Sequence, residues 1–256
     1  MNAEPRTTAR RRAPLRATCA QPHACPRPVR MRVLSQVGYF AGLTEAELAD
    51  IDRRMVALSW AEDDPLYRAG EPADHLYVLA AGRVKITQPT ATGAELITDL
   101  LAPGDLFGAL STLGEPTYPE SAVALTTTCA LRIDPGAFRA VLTAHPQVAL
   151  RVLDDVAARL ARARSDAGRV ASGSVAQRLA ATLLRLATKL GQERAGDGTT
   201  LLQLPLTRAD LAAMTASTPE SVSRLMSRWR AEGVIDSGRR WTAIRDRERL
   251  EEIAAG

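Results

Sequence analysis

The chain has 256 residues, 46% of them apolar, which is enough to bury a sizeable core and to form one or two domains. Only 4% are aromatic, which argues against a binder of RNA or single strands that works by base stacking. Thirty-three Lys and Arg against 29 Asp and Glu leave a formal charge of +4, too small to name a partner by itself.

No stretch has the length of a transmembrane helix, and the Arg-rich N-terminus lacks the apolar run of a secretory signal, so no membrane association is expected. Three cysteines do not make a disulfide framework, and a reducing, cytoplasmic compartment is expected. Residues 1–32 hold Arg, Pro and small residues without a period and read as a disordered basic arm. A helical pattern begins near Val33, and Thr44-Glu45-Ala46-Glu47 reads as a capping box opening a short helix through Leu48 and Ile51. From Met55 to about Ile133, short apolar runs alternate with turn signals. Gly70, Gly82, Gly93 and Gly104 fall at intervals of 12, 11 and 11. Even spacing with Gly at the corners predicts an antiparallel jelly roll or barrel. The unit is placed at 33–145.

After Pro146 the pattern turns helical. Ala149, Leu153, Val156, Leu160, Ala163, Ala167 and Val170 alternate steps of four and three, a heptad seam. The plainer reading is a helix packed on its own domain. Regularity over about three heptads favours a two-stranded dimer helix over 146–171, with Leu153, Val156 and Leu160 at the interface. Arg151, Asp155 and Arg159 stand four apart and are expected to pair along it. Ala171-Ser172-Gly173-Ser174 breaks the helix and opens a second domain, 172–256. An amphipathic helix follows on Val175, Leu179, Leu183, Leu186 and Leu190, stopped by Gly191.

The informative segment is Leu206 to Ile244. Thr207 and Asp210 form a second capping box over Leu211 and Ala212. After the turn Thr215-Ala216-Ser217, Thr218 caps another helix with Pro219 at its first position. Val222, Leu225, Met226 and Trp229 make its buried stripe, which leaves Glu220, Ser223, Arg224 and Ser227 together on the opposite face. This is where a recognition helix meets base edges in the major groove of double-stranded DNA. Arg224 suits guanine O6 and N7, Glu220 accepts from a base amino group, and Ser223 serves in either sense. Thr207, Arg208, Thr218, Ser221 and Arg228 are the expected phosphate contacts. Residues 233–244 read as a two-stranded wing. A helical hairpin with a solvated charged face is the bland alternative, and the agreement of caps, turn, face and wing speaks against it.

Several segments resemble the Crp/Fnr superfamily of transcription regulators over roughly residues 33–250: Tyr67-Arg68-Ala69-Gly70-Glu71, Leu76-Tyr77-Val78-Leu79, Gly82-Arg83-Val84-Lys85, Gly104-Asp105-Leu106-Phe107-Gly108, Arg178-Leu179-Ala180, Leu206 to Leu211 and Glu220-Ser221-Val222-Ser223-Arg224. The resemblance implies an α+β chain: an N-terminal cyclic-nucleotide-binding-like β-roll, a long dimerisation helix and a C-terminal winged helix-turn-helix. It also implies a homodimer on an inverted repeat and contact with RNA polymerase. The Glu-x-x-Ser-Arg reader resembles the Fnr branch, whose half-sites are of the TTGAT kind. The Crp branch usually has Arg before the Glu and Gly for the Ser, and Pro219 stands at that Arg position.

The sensed signal is open. After Gly104-Asp105-Leu106 the chain has Pro119-Glu120-Ser121-Ala122, an acid where the family's cyclic-nucleotide cassette has its arginine. A carboxylate repels a phosphodiester, so a cyclic nucleotide is not expected. Fnr-type sensors place an iron–sulfur cluster on N-terminal cysteines and one from the β-roll. Cys19, Cys25 and Cys129 are candidates, with His23 or an acid as fourth ligand. The plain alternative is a small buried hydrophobe at Cys129 and two unused thiols in the arm. His75 and His145 are lone histidines that suggest haem only weakly. An enzyme carrying a regulatory roll is disfavoured: there is no nucleophile with a nearby base, no phosphate-binding Gly-Lys loop and no His-Glu-x-x-His. A non-DNA adaptor is the remaining class, and a gel shift separates it.

Overall fold

Two antiparallel sheets face each other to make the N-terminal roll. The first has the strand order β1 (Gln21–Pro22), β2 (Val56–Trp60), β9 (Thr128–Ile133), β4 (Leu76–Ala81), β7 (Leu106–Gly108). The second runs β3 (Pro65–Tyr67), β8 (Ser121–Ala124), β5 (Val84–Pro89), β6 (Glu95–Leu101). The computed structural model describes residues 21–22, 25–90, 95–108, 116–194 and 198–256, with the side chains of 21–22, 159, 162–163 and 165–172 left aside.

Strand β4 shows why its sequence is an unbroken apolar run. Side chains alternate across a strand. Tyr77 and Leu79 point between the sheets with Trp60, Tyr67, Phe107 and Tyr118, whereas Leu76 and Val78 point out to a helical layer holding Leu34, Phe40, Phe138 and Val148. Both faces are covered, so neither needs polar residues. Gly70, Gly82 and Gly104 sit at corners with φ of 85°, 88° and 95°. At Gly82 a Cβ would also stand 2.4 Å from the Thr127 carbonyl oxygen, so conformation and space both exclude a side chain. Gly93 lies outside the described residues.

The helical layer differs from the expectation at the N-terminus. Residues 27–32 are not a disordered arm: α1 spans Arg27–Gln36. The cause is non-local. Arg30 donates from Nε and Nη2 to the Asp52 carboxylate, both at 2.7 Å, and from Nη1 to the Cys25 carbonyl. Asp52 is 3% exposed, at the end of α2 (Glu45–Arg53), so the arginine neutralises a buried charge. The Thr44–Glu47 capping box is present on α2. A helix the sequence reading did not separate, α3 (Pro135–Ala144), follows β9, capped by Asp134.

The long helix α4 spans Pro146–Ser172. Its buried and exposed apolar stripes are rotated from the predicted seam. Val148 and Val152 are buried in the roll's helical layer, and Val156 packs against the same cluster. Leu150, Leu153 and Leu160 are 64%, 62% and 51% exposed, and with exposed Ala157 they continue the three-four spacing along the outer side. Val156 therefore belongs to the inward face. Asp155 and Arg151 are tied to the roll: Asp155 accepts from the Tyr39 hydroxyl at 2.6 Å, and Arg151 donates to the Ala41 carbonyl, while the Arg159 side chain lies outside those described.

Ser174 caps α5 (Val175–Leu190) with a box closed by Gln177. Gly191 ends α5 as expected, but for a different reason. Its φ is −71°, and a Cβ there would stand 2.3 Å from the Ala187 carbonyl oxygen and 2.5 Å from the Thr200 methyl. A third sheet, β10 (Gln192–Glu193), β11 (Thr200–Leu202), β13 (Trp241–Ile244), β12 (Ile235–Gly238), packs with α5, α6 (Arg208–Met214), α7 (Pro219–Ala231) and α8 (Arg247–Ala255). This core is shared with the roll: Ile97, Leu100 and Leu125 join Leu179, Leu183, Leu211 and Trp229 in one cluster. Ion pairs ring the junction, Lys85–Asp210 at 3.3 Å, Lys189 with Asp99 and Asp105 at 3.2 and 3.1 Å, and Arg240–Glu62 at 3.0 Å.

Candidate nucleic-acid interface

The site is built from two capped helices. In α6, Thr207 accepts from the Asp210 amide at 3.0 Å while the Asp210 carboxylate takes the Thr207 amide at 2.8 Å. In α7, Thr218 accepts from the Ser221 amide at 3.3 Å, and Pro219 fills the first position, where no amide donor is needed. Val222, Met226 and Trp229 are buried and Leu225 half-buried. That burial turns the other face of α7 outward. Glu220, Arg224, Ser227 and Arg228 are exposed and Ser223 half-buried.

Between the helices Ala216 takes a positive φ of 45° at the turn. A residue the sequence reading left in the background holds this turn. Arg178 of α5 donates from Nε to the Thr215 carbonyl at 2.8 Å and from Nη2 to the Ala216 carbonyl at 3.4 Å, and its Nη1 reaches the Gly173 carbonyl at the break after α4. In the sequence it stood out only within the resembling segment Arg178-Leu179-Ala180.

The electrostatics separate the side chains. Glu220 is held below the usual carboxylate range, first by its own backbone amide, then by Thr218 and the Arg224 charge. It is a fixed anion on the exposed face of α7. Arg224 Nη2 donates to Ser221 Oγ at only 3.3 Å, a weak restraint on a guanidinium aimed at solvent. Arg228 pairs with Glu232 at 2.7 Å, and half-buried Arg208 reaches Ser237 of β12 at 3.3 Å. Among the expected phosphate contacts Thr207 and Thr218 are exposed caps at helix N-termini, where backbone amides already favour an anion. Beside them β12 and β13 form a hairpin whose tip is Arg239-Arg240.

Comparison with known proteins places this geometry. A Crp-like helix-turn-helix domain matches residues 177–253 and a cyclic nucleotide-binding domain matches residues 57–145. The Cyclic AMP receptor protein of Thermus thermophilus is 31% identical over 221 residues, 85% of this chain and 96% of that protein. The chain belongs to the Crp/Fnr family of transcription regulators. Another family member, the CRP-like cAMP-activated global transcriptional regulator of Mycobacterium tuberculosis, is 26% identical over 85% of this chain and 96% of its own length. The structure of FixK2 from Bradyrhizobium japonicum superposes with a TM-score of 0.70 at 25% identity, over 79% of this chain and 98% of that one. Matches fall on both sides of the Crp and Fnr division, and the branch is not resolved. Like its family, this Crp/Fnr protein is a DNA-binding regulator with an effector-sensing domain, not an enzyme. No helix among the described residues is long and apolar enough to cross a membrane.

In the roll of this Crp/Fnr regulator, the inter-sheet space is filled by stacked rings. Tyr67 lies 3.9 Å from Tyr118, and Tyr77 5.3 Å from Phe107, centroid to centroid. The Tyr67 hydroxyl is pushed well above the usual phenol range, first by burial and then by the Glu120 charge. The relatives named for cAMP weigh against the expectation, drawn from Glu120, that a cyclic nucleotide does not suit this roll. His75 lies at the start of β4 against Tyr77, and His145 Nδ1 stands 3.4 Å from Glu47, so the two histidines have separate, local settings.

Two of the three cysteines come together. Cys25 is buried, and its thiol is within hydrogen-bonding reach of Cys129, opposite Ser59 on β9. Cys19 and His23 lie outside the described residues, and among the described ones no cluster of three His, Cys, Asp or Glu forms. The Cys129 thiol is pushed up to about 12, chiefly by burial and then by Cys25. Only thiolate is alkylated. At pH 8 the reaction of Cys129 with iodoacetamide should run roughly a thousand-fold slower than that of an exposed thiol, read by peptide mass spectrometry. Labelling at the free-thiol rate would contradict this burial.

Proposed function

We propose that this protein regulates transcription as a homodimer bound to an inverted repeat of TTGAT-like half-sites. Glu220, Ser223 and Arg224 read bases, while Thr207, Arg208, Thr218, Ser221 and Arg228 grip phosphates. The observation that carries the reading is α7 itself: capped by Thr218, buried on Val222, Met226 and Trp229, and open on the face that holds Glu220 and Arg224. Its partners are double-stranded DNA, a second copy through Leu153 and Leu160, and, by family resemblance, RNA polymerase.

Fluorescence anisotropy at fixed salt tests it. The inverted repeat should bind about a thousand-fold or more tighter than a scrambled duplex. Equal affinities would overturn base reading.

The effector acts on the roll. The relatives named for cAMP favour a cyclic nucleotide; the Glu120 carboxylate beside Tyr67 argues against one. Adding cAMP to the same titration decides, since an effector must change the affinity for the repeat. A redox signal is the second reading, favoured by the meeting of Cys25 with Cys129. With Cys19 these would be thiolate ligands of an iron–sulfur cluster, a group that supplies oxygen-sensitive redox chemistry when bound. Protein purified without oxygen should then contain iron and sulfide and absorb near ~400 nm.

A further inference from the structure

The sheet of the C-terminal domain has two faces, and the proposed base reading lies on the helical side. Leu202, Leu204 and Ile244 point into the helical core. The alternate residues Leu201, Gln203, Trp241 and Ala243 line a cavity of about 590 Å³ on the other face. Small-ligand sites run roughly 300–1,000 Å³, so the volume suits a nucleotide. The roll closes one side, with Thr126 in the lining and Glu62 bonded to Arg240 at the rim. It is a recess on the outer face of the sheet, next to the roll.

Its chemistry is specific. Four arginines, Arg194, Arg239, Arg240 and Arg245, surround the floor. Arg240 is held by Glu62 with Asp63 close by, and Arg245 by Asp236 at 3.3 Å. Arg194 and Arg239 form no ion pair among the described residues and are exposed. Trp60 and Trp229 are buried, whereas Trp241 is partly exposed at the cavity. Gly238 lies against its indole: a Cβ there would stand 2.4 Å from Nε1. The ring occupies the space that a side chain at its cross-strand partner Gly238 would fill.

We infer that this recess is a second ligand site, distinct from the interior of the roll, for a nucleoside polyphosphate. The ring of the base stacks on Trp241 beside Leu201 and Pro205, with the Gln203 amide at its edge. The phosphates lie on Arg194 and Arg239. A phosphate reaching Arg240 competes with Glu62, so occupancy loosens one of the ties between reader and roll. The inference goes beyond the DNA-binding reading and does not depend on Arg224.

The test uses the intact protein and magnesium-free ATP, with tryptophan emission and equilibrium dialysis as readouts. ATP should quench emission saturably. Adenosine alone and tripolyphosphate alone should each bind at least ten-fold more weakly. The double variant Arg194→Ala, Arg239→Ala should lose at least ten-fold in ATP affinity while its melting temperature holds, since both side chains are exposed. Trp241→Phe should abolish the quench yet retain binding by dialysis. Tripolyphosphate binding as tightly as ATP would overturn the nucleotide assignment, leaving a bare phosphate patch. ATP binding that ignores the arginine variants would place the ligand elsewhere, in the roll, and overturn the site. So would a surface whose arginines affect only duplex affinity while ATP never binds.

Discussion

Arg224→Ala should lower affinity for the inverted repeat by about 1–3 kcal/mol per half-site, about 5- to 150-fold each, and flatten the preference at one guanine. The side chain stands one turn into α7 on the exposed face, restrained only by the 3.3 Å contact to Ser221. Two controls make the result interpretable. Arg228→Ala removes a cation already shared with Glu232, and should weaken all duplexes alike and reduce the salt slope by about one. Glu220→Ala removes an ionised carboxylate from the reading face, so non-specific binding should hold or improve while selectivity falls. Equal loss on random and selected duplexes for Arg224→Ala would mean that α7 does not read bases directly. The measurement is anisotropy against a panel of single-base variants of the repeat at two salt concentrations.

Leu153→Glu and Leu160→Glu should each give monomers in analytical ultracentrifugation and weaken binding to the repeat by about 10²–10⁴-fold, the avidity lost when two linked readers become one. The structure sharpens the choice of position. Leu150, Leu153 and Leu160 expose their side chains along the outer side of α4, a patch that is unusual unless something covers it. Val156→Glu makes the contrast. Because Val156 packs on the roll's helical layer, its substitution should lower the melting temperature, whereas the outer leucines should leave the monomer folded. Dimers that survive both leucine substitutions would remove α4 as the interface.

What the sequence revealed followed local chemistry. The boxes at Thr44–Glu47 and Thr207–Asp210 and the Thr218–Pro219 start each involve residues within one turn, and all three helices begin where those residues say. The corners at Gly70, Gly82 and Gly104 were legible for the same reason. What escaped is non-local or short. Helix α1 is anchored by Asp52, 22 residues from Arg30, and composition gave no hint of that partner. Helices α3 and α8 carry their caps, Asp134 and Asp246, but bury only Phe138 and Val141 in one case and Leu250 in the other, too few to set a period. The apolar spacing along α4 was legible but not its phase, because the helix carries two apolar stripes that overlap in sequence, one buried on the roll and one exposed. Within the candidate interface the division of α7 into a buried stripe and an exposed face was visible in the sequence. The grip of Arg178 on the turn and the recess behind Trp241 were not, since both depend on which strands and helices become neighbours.

The core that joins reader to roll sets a thermodynamic condition on regulation. Ile97, Leu100 and Leu125 are at most 4% exposed because α5, α6 and their neighbours lie over them. Swinging the reader away returns that apolar surface to water at about 25 cal/mol for each Å² uncovered, and separates Lys85 from Asp210 as well. A signal molecule that bound the docked and undocked arrangements equally well would leave their ratio unchanged, however tight its binding. To carry the population from about 1:99 to 99:1 it must discriminate between them by about 10⁴-fold, roughly 5.5 kcal/mol. Trimming the junction, for instance by Leu100→Ala, shifts that balance with no ligand present, and so separates how strongly a signal binds from how much switching it can drive.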